Sequence, residues 1–379
     1  MLAHDWLVGM RGGEMVLDRL ARLFGPTDLY TMVADERCEM SDAIRACRVH
    51  TSEMQHWPGG PGSLRRWYLP LYPAAVQSLS VHSGPDLLIS TSSALIKAIK
   101  PPTDSHGRLI PHICYCHTPP RYLWEMSTEY AHGAGGTLRT LGLASFGPAL
   151  RAFDRSTNET VTQFVANSRH TAARIKRCYE RDAVVIHPPV RTEYFTVDEQ
   201  VERGGHYLVV SALEPYKRVD LAVQAAAKLN RELVVIGDGS QRAHLEQLAA
   251  GHPSVRFLGW LPAEQLLKHY RTARALLFPG IEDFGIVPVE AMACGCPVIA
   301  QQGGGADDWM IEPETGVTFN EATVESLVNA ITRFESNPDQ EKTQTSRACR
   351  ENAERFAESE FDQIVLDLAA RVLERSSSA

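Results

Sequence analysis

Glu282 and Glu290 stand with seven residues between them in RALLFPGIEDFGIVPVEAMACGCPVIA, residues 274–300. Glu282 follows an apolar run, Ala275 to Pro279, in a turn of Gly and Asp. Glu290 is expected in the first turn of a helix starting near Val287. Pro288 suits that turn, since its missing N–H would have no intrahelical acceptor there. A helix N-terminus presents N–H groups and the positive end of a dipole, which suits phosphate. Carboxylates beside it can accept from sugar or ribose hydroxyls. The segment therefore fits the holding of a sugar and a phosphate together. On spacing alone it fits equally a strand–loop–helix unit in which Glu290 only complements the dipole.

Lys217 and Arg218 follow the run HYLVVSAL and the turn Glu214-Pro215-Tyr216. Two cations at a strand's carboxyl end, before a helix, suit a diphosphate: Arg by forked bonds, Lys as a point charge. An exposed basic turn is the plain alternative. Gly12 and Gly13, in Met10-Arg11-Gly12-Gly13-Glu14, precede an expected helix Met15–Phe24 and would let backbone approach a ligand closely. They could equally form a tight turn. His4 and Asp5 fall at the carboxyl end of a short first strand, Met1 to Ala3, where open α/β sheets bind ligands. Asp5 could instead cap the turn. His117 ends HICYCHT before Thr118-Pro119-Pro120, which force the chain out of the sheet. It can donate to a hydroxyl or phosphate, or stand as a satisfied, half-buried His. Gly237-Asp238-Gly239-Ser240 reads as a strand-to-helix turn with Ser240 as N-cap, and Gly303-Gly304-Gly305 as another loop able to offer N–H groups. Ser63 to Tyr72, SLRRWYLPLY, mixes cations with aromatics, as at a membrane interface or in helix packing with snorkelling arginines.

These residues need strand ends to stand on. Apolar runs alternate with helical patterns, which argues for an α/β fold with parallel sheets covered by helices. In the first half the runs are Asp86–Thr91, Ile113–Thr118, Phe164–Ser168 and Val184–His187. In the second they are Tyr207–Leu213, Leu233–Gly237, Arg256–Leu258, Ala275–Pro279, Val298–Gln301 and Gly316–Phe319. Helices are expected over Val219–Leu229, Gln241–Ala250 and Ala263–Arg271. At 379 residues, two domains are the natural expectation. Pro188-Pro189 and the polar stretch Asp198–Gly205 mark a boundary, giving domains 1–188 and 189–359. A last helix, 360–379, returns to the first domain.

The net charge of −8 divides unevenly. Residues 1–188 hold 20 Lys and Arg against 17 Asp and Glu, and residues 189–379 hold 18 against 29. Basic residues concentrate over Arg139–Arg181, so the first half suits an anionic surface or acceptor better. Nothing points to nucleic acid. No apolar run reaches the roughly 18–20 residues that span a bilayer. The start, MLAHDWLVGMRGGE, lacks the basic and long apolar regions of a signal peptide. The eight Cys fit neither a disulfide framework nor a zinc spacing and read as buried thiols of a reducing cytoplasm.

Taken together the motifs resemble those of retaining glycosyltransferases of the two-Rossmann-domain type (GT-B), family 4. The resemblance runs over almost the whole chain. It is most specific at Glu282-Asp283-Phe284-Gly285-Ile286-Val287-Pro288-Val289-Glu290-Ala291-Met292-Ala293-Cys294-Gly295, and good at Tyr216–Asp220, Ala166–Ser168 and His4–Leu7. It implies two Rossmann-like domains facing across a cleft, the second holding the nucleotide. It implies that Glu290 binds the ribose hydroxyls, that Lys217 and Arg218 bind the diphosphate, and that Glu282 touches the transferred sugar. His117 would lie near that sugar's hydroxyls, and Gly12 and Gly13 near the diphosphate. Phe284, Gly285, Ile286 and Val287 would offer backbone N–H groups. The family commonly has Arg where this chain has Ala212, five residues before Lys217, so one diphosphate cation is missing.

The implied reaction moves a hexose, with mannose from GDP-mannose the leading case, to a glycan or polyprenyl-linked acceptor in polysaccharide biosynthesis. The mannose expectation rests on the look of the HDWLVGMRGGE start. No spaced DxD pair stands out, so no metal or other cofactor is expected: Lys217, Arg218 and helix N-termini would stabilise the leaving diphosphate. A nucleotide-sugar epimerase on the same fold, or a catalytically weak subunit of a glycan assembly complex, are the alternatives. The expected location is cytoplasmic, with peripheral contact at the inner membrane face an open reading.

Overall fold

The computed structural model describes residues 1–82, 84–124, 136–337 and 343–377, without the side chains of residues 63, 66, 136–144, 343 and 344. Part of the basic–aromatic segment, and Arg139 of the basic cluster, thus lie outside the described side chains. The chain divides into two compact units: Met1–His187 with Phe361–Ala379, and Pro188–Glu360.

Among the described residues the first unit carries a seven-stranded sheet. Its strands are β1 (Leu2–Leu7), β2 (Asp28–Ala34), β3 (Arg48–Thr51), β4 (Leu88–Ser92), β5 (His112–Cys116), β6 (Gln163–Ala166) and β7 (Ala183–Val185), in the order β3-β2-β1-β4-β5-β6-β7. Every pairing is parallel, with Leu2 opposite both Leu29 and Ile89. The second unit carries β8 (Tyr207–Val210), β9 (Leu233–Ile236), β10 (Val255–Gly259), β11 (Ala275–Phe278), β12 (Val298–Gln301) and β13 (Gly316–Phe319), in the order β10-β9-β8-β11-β12-β13, again all parallel. These are the parallel α/β sheets that the alternation of apolar runs and helical patterns implies.

The first strand corrects the sequence reading. It extends through His4 and Asp5 to Leu7, so both residues lie inside a central strand rather than at its end. Polar side chains are tolerated there because each is satisfied. The His4 ring meets the Thr91 hydroxyl at 2.6 Å, and the Asp5 carboxylate accepts from the backbone N–H groups of Ser93, Ala94 and Ile96. Asp5 thereby pins the loop after β4. β2 and β3 were not among the expected strands. β2 mixes Asp, Tyr and Thr with its apolar residues, and β3 is a mostly exposed edge strand.

Helices cover both faces of each sheet with apolar cores. The last helix, Glu358–Ser377, places Phe361, Val365, Leu368, Ala369 and Val372 at helical spacing in the core of the first unit, beside Leu17 and Leu20 of the helix Gly12–Phe24. A forked Arg19–Asp362 pair at 2.7 and 2.5 Å joins the two helices. Seven of the eight free cysteines are buried, and burial pushes the Cys114 thiol up to about 12.

Candidate functional site

In a doubly wound sheet, connections leave in opposite directions from two neighbouring strands, and their carboxyl ends frame a crevice for ligands. In the second unit those strands are β8 and β11. The loop after β8 carries Lys217, and the loop after β11 carries Glu282. The structure brings the two side chains together as an ion pair, 14% and 22% exposed.

Glycines make this closeness possible. A Cβ on Gly280 would stand 2.8 Å from the Tyr216 carbonyl oxygen and 2.9 Å from the Lys217 backbone. A Cβ on Gly304 would stand 2.2 Å from the Glu282 carbonyl oxygen, and Gly304 has a φ of 63°. The Gly305 N–H donates to that same carbonyl at 2.8 Å, and the Trp309 indole donates to the Phe284 carbonyl at 2.8 Å. The triglycine is therefore the strut of the Glu282 loop.

The helix after this loop spans Ile286–Ala293, with Gly285 as N-cap at a φ of 85°. By helix geometry the N–H groups of Ile286 and Val287 have no intrahelical acceptor, and Pro288 has none to offer. Phe284 is a core residue, its ring packed against Phe356. Glu290 is the fifth helical residue, past the first turn where the sequence reading placed it. It is buried, and one carboxylate oxygen accepts from the Tyr270 hydroxyl at 3.1 Å. Burial raises its pKa to about 7, against the opposing pull of the Arg191 charge and the Tyr270 bond. The carboxyl is thus held by Tyr270 within the core, past the helix turn on which the dipole acts most.

Other sequence candidates are placed differently. Arg218 takes a φ of 51°, uncommon for a residue other than glycine. Its guanidinium forks onto Asp220 at 3.1 and 3.1 Å and reaches the Ala322 carbonyl at 3.4 Å, so the structure does not bring it to the Lys217–Glu282 pair. Ser240 is not an N-cap: its helix is Arg242–Leu248, capped by Gln241, and the Ser240 hydroxyl donates to Glu214 at 2.7 Å.

In the first unit the neighbouring strands are β1 and β4. Gly12 and Gly13 open the helix Gly12–Phe24 rather than preceding it. A Cβ on Gly13 would lie 3.5 Å from His117 Nε2 and 3.6 Å from His4 Cε1, so the two imidazoles face one small space over this glycine. Asn167 donates to the His117 carbonyl at 3.0 Å, anchoring the backbone after β5. Glu14 lies 3.9 Å from His4 Nε2 and accepts from the Arg11 N–H at 3.2 Å. Burial alone would raise Glu14, but the His4 bond and backbone donors outweigh it and hold the carboxyl below its ordinary value.

Sequence reasoning missed Tyr270, Arg191 and Glu14. Tyr270 and Arg191 join the site only through tertiary packing of the helix Ala263–Thr272 and the 190–195 turn, which no local pattern announces. Glu14, three residues after Arg11, had a readable signal as the N3 carboxylate of a helix start. Among the described residues no group of three or more His, Cys, Asp or Glu side chains is placed to hold a metal. No helix among them is long and apolar enough to cross a membrane.

Two parallel sheets of Rossmann order, each with a loop cluster at its central crevice, define a GT-B fold. Solved structures of that fold superpose on nearly the whole chain: sucrose-phosphate synthase of Thermosynechococcus elongatus (TM-score 0.74, 17% identity, 99% of this chain and 100% of that one) and HepE of Anabaena in complex with UDP (TM-score 0.70, 16% identity, 98% and 99%). Residues 190–356 match the model of the family glycosyl transferases group 1, and this part of the chain is a domain of that family. Among curated relatives, a GDP-mannose-dependent alpha-(1-6)-phosphatidylinositol monomannoside mannosyltransferase of Mycolicibacterium smegmatis is 29% identical over 45% of this chain and 52% of its own length. A D-inositol 3-phosphate glycosyltransferase of Mycobacteroides abscessus is 27% identical over 48% and 47%. The chain spans about half the length of these relatives.

Proposed function

We propose that the protein is a retaining glycosyltransferase that moves a hexose, with mannose from GDP-mannose the leading candidate, to a glycan or polyprenyl-linked acceptor. The observation that carries this reading is the meeting of Lys217 and Glu282 at the β8/β11 crevice, beside the helix that bears buried Glu290. The relative named as GDP-mannose-dependent supports the choice of donor.

Each residue has a task that its chemistry suits. Lys217, released from Glu282, meets the negative charge that builds on the departing diphosphate, together with the Ile286 and Val287 N–H groups. Glu282 then accepts from a hydroxyl of the transferred sugar, and Glu290 from the ribose hydroxyls. His117, with Gly13 leaving space beside it, has the chemistry to donate to a sugar hydroxyl. Once Lys217 has left it Glu282 is engaged by a sugar hydroxyl, and Glu290 by Tyr270 and the ribose, so neither is assigned as the nucleophile of a carboxylate pair. Same-face attack assisted by the leaving phosphate suits these residues better, and no step calls on a metal.

Exposed Leu64, Trp67 and Leu71 lie in a stretch, residues 54–85, that has Arg65 and Arg66 but no Asp or Glu. That composition supports peripheral contact with an anionic membrane and a lipid-linked acceptor.

Calorimetry with GDP, UDP and ADP tests the reading, followed by transfer assays with the matching sugar nucleotide. Binding of one diphosphate, weakened in Lys217→Ala and Glu290→Ala, is the expected result. Binding of none rules the active transferase out.

A further inference from the structure

We infer that Tyr270 is a positioning residue for Glu290: its hydroxyl holds one carboxylate oxygen so that the other faces the ribose diol of a nucleoside diphosphate. The inference rests on the ribose role proposed for Glu290 and deepens it.

Tyr270 is fully buried in the helix Ala263–Thr272, and its hydroxyl donates to Glu290 Oε2 at 3.1 Å. A phenol in an apolar core is a costly choice when Phe fills nearly the same volume, unless the hydroxyl has a task. Its neighbours fix the ring. Phe195 packs edge-on against it, with centroids 5.6 Å apart at 74°. The Arg191 guanidinium lies 5.2 Å over the other ring of that pair, Phe195, and 5.3 Å over Tyr194. Arg191 is thus held by stacking, with its charge close enough to favour the ionised form of Glu290. Burial keeps the phenol protonated, well above its ordinary range, so it donates at every pH the protein meets.

A carboxylate has about four lone-pair sites. A fixed donor on Oε2 sets the plane of the group and leaves Oε1 and the outer lone pairs for a ligand. Two adjacent hydroxyls match what remains, and a single hydroxyl would use it only in part. Without the Tyr270 donor the carboxyl could rotate, and it would also protonate more readily.

The test compares GDP, UDP and ADP with their 2′,3′-dideoxy counterparts by calorimetry, on the full chain and on Tyr270→Phe and Glu290→Gln. The wild type should prefer the ribonucleotide that it binds over the dideoxy form by about tenfold or more, as expected for hydrogen bonds to a charged group. Tyr270→Phe should lose most of that preference while its dideoxy affinity stays within about twofold of the wild type. A general loosening of the fold would instead weaken both ligands alike. If the preference survives in Tyr270→Phe but is lost in Glu290→Gln, the positioning role is wrong and the ribose role stands. If the wild type shows no preference, the ribose role itself fails and the inference with it. Should Tyr270→Phe not fold, 3-fluorotyrosine at position 270 keeps the packing and makes a more acidic donor. The pH midpoint of ribonucleotide binding should then move down, and an unmoved midpoint overturns the inference.

Discussion

Lys217 and Glu282, from the loops after the neighbouring strands β8 and β11, neutralise one another across the crevice of the second unit. On the proposed function each partner has one task when a donor arrives: the lysine goes to phosphate, the carboxylate to sugar. Lys217→Ala should therefore weaken nucleoside diphosphate binding by about tenfold to a hundredfold. Glu282→Gln frees the lysine, so diphosphate binding should hold or tighten while transfer collapses. Calorimetry beside a transfer assay separates the two. Equal loss of diphosphate binding in both variants would mean that the pair acts only as a loop fastening.

Glu290 should make nucleotide binding depend on pH in a definite direction. Its carboxyl titrates near 7, raised by burial, whereas in the unfolded chain it titrates near its ordinary value of 4.5. Ribose hydroxyls bind the ionised form, so affinity should rise with pH through about 7, by up to about tenfold per pH unit below it. Stability should run the other way. A raised pKa means that the folded state binds the extra proton, so stability from this group falls as pH rises from about 4.5 to about 7. Glu290→Gln should then melt higher than the wild type at pH 8, with the gap closing at pH 5, and its nucleotide affinity should be flat across that range. A pH-independent wild-type affinity would contradict this.

The strand runs of the second unit were legible because β8, β9, β11 and β12 are buried on both faces and read as continuous apolar stretches. β1 was misread because His4 and Asp5 are polar, and their partners Thr91 and Ser93–Ile96 come from a distant segment. The Glu282/Glu290 spacing pointed to a candidate site, but not to the contacts that its side chains make. That Glu282 meets Lys217, that Tyr270 holds Glu290, and that Asp220 takes Arg218 are consequences of packing. Only the last had a local cue, since Asp220 lies two residues after Arg218 and could fold back onto it.

Lys97 and Asp154 form an ion pair inside the first unit. Both are fully buried, 3.0 Å apart, and the ammonium also donates to Thr157 and Asn158 at 2.8 and 3.0 Å. Trp124 Nε1 donates to the same carboxylate at 2.8 Å. Removing one partner leaves a buried charge uncompensated. Lys97→Met should cost about 3–5 kcal/mol of unfolding free energy, read by urea titration at constant protein concentration. A change below about 1 kcal/mol would show that water reaches the pair.

Leu64, Trp67 and Leu71 give the membrane reading a direct test. Vesicles of mixed anionic and zwitterionic lipid should sediment the wild type at low salt, and replacing the three residues by Ser should abolish that. Added salt should weaken binding only in part, since apolar insertion is not screened while attraction to the headgroups is. Binding that the triple variant retains, or that moderate salt removes completely, would place the contact elsewhere.

Gly13 separates a site from a structural glycine most cleanly. It lies inside the helix Gly12–Phe24, where Ala is a better helix former than Gly by up to about 1 kcal/mol. The added methyl would meet His117 Nε2 at 3.5 Å and His4 Cε1 at 3.6 Å, ordinary contact distances, so nothing has to move to admit it. Gly13→Ala should accordingly fold and melt no lower than the wild type. If the space between the two imidazoles receives a ligand, the same methyl occupies it. Transfer should then fall by about a hundredfold or more, the scale set by misplacing reacting groups by an ångström. Nucleoside diphosphate binding to the second unit's Lys217 and Glu290 should fall less than transfer does. A Gly13→Ala variant as active as the wild type would assign the His4–Gly13–His117 cluster to packing alone.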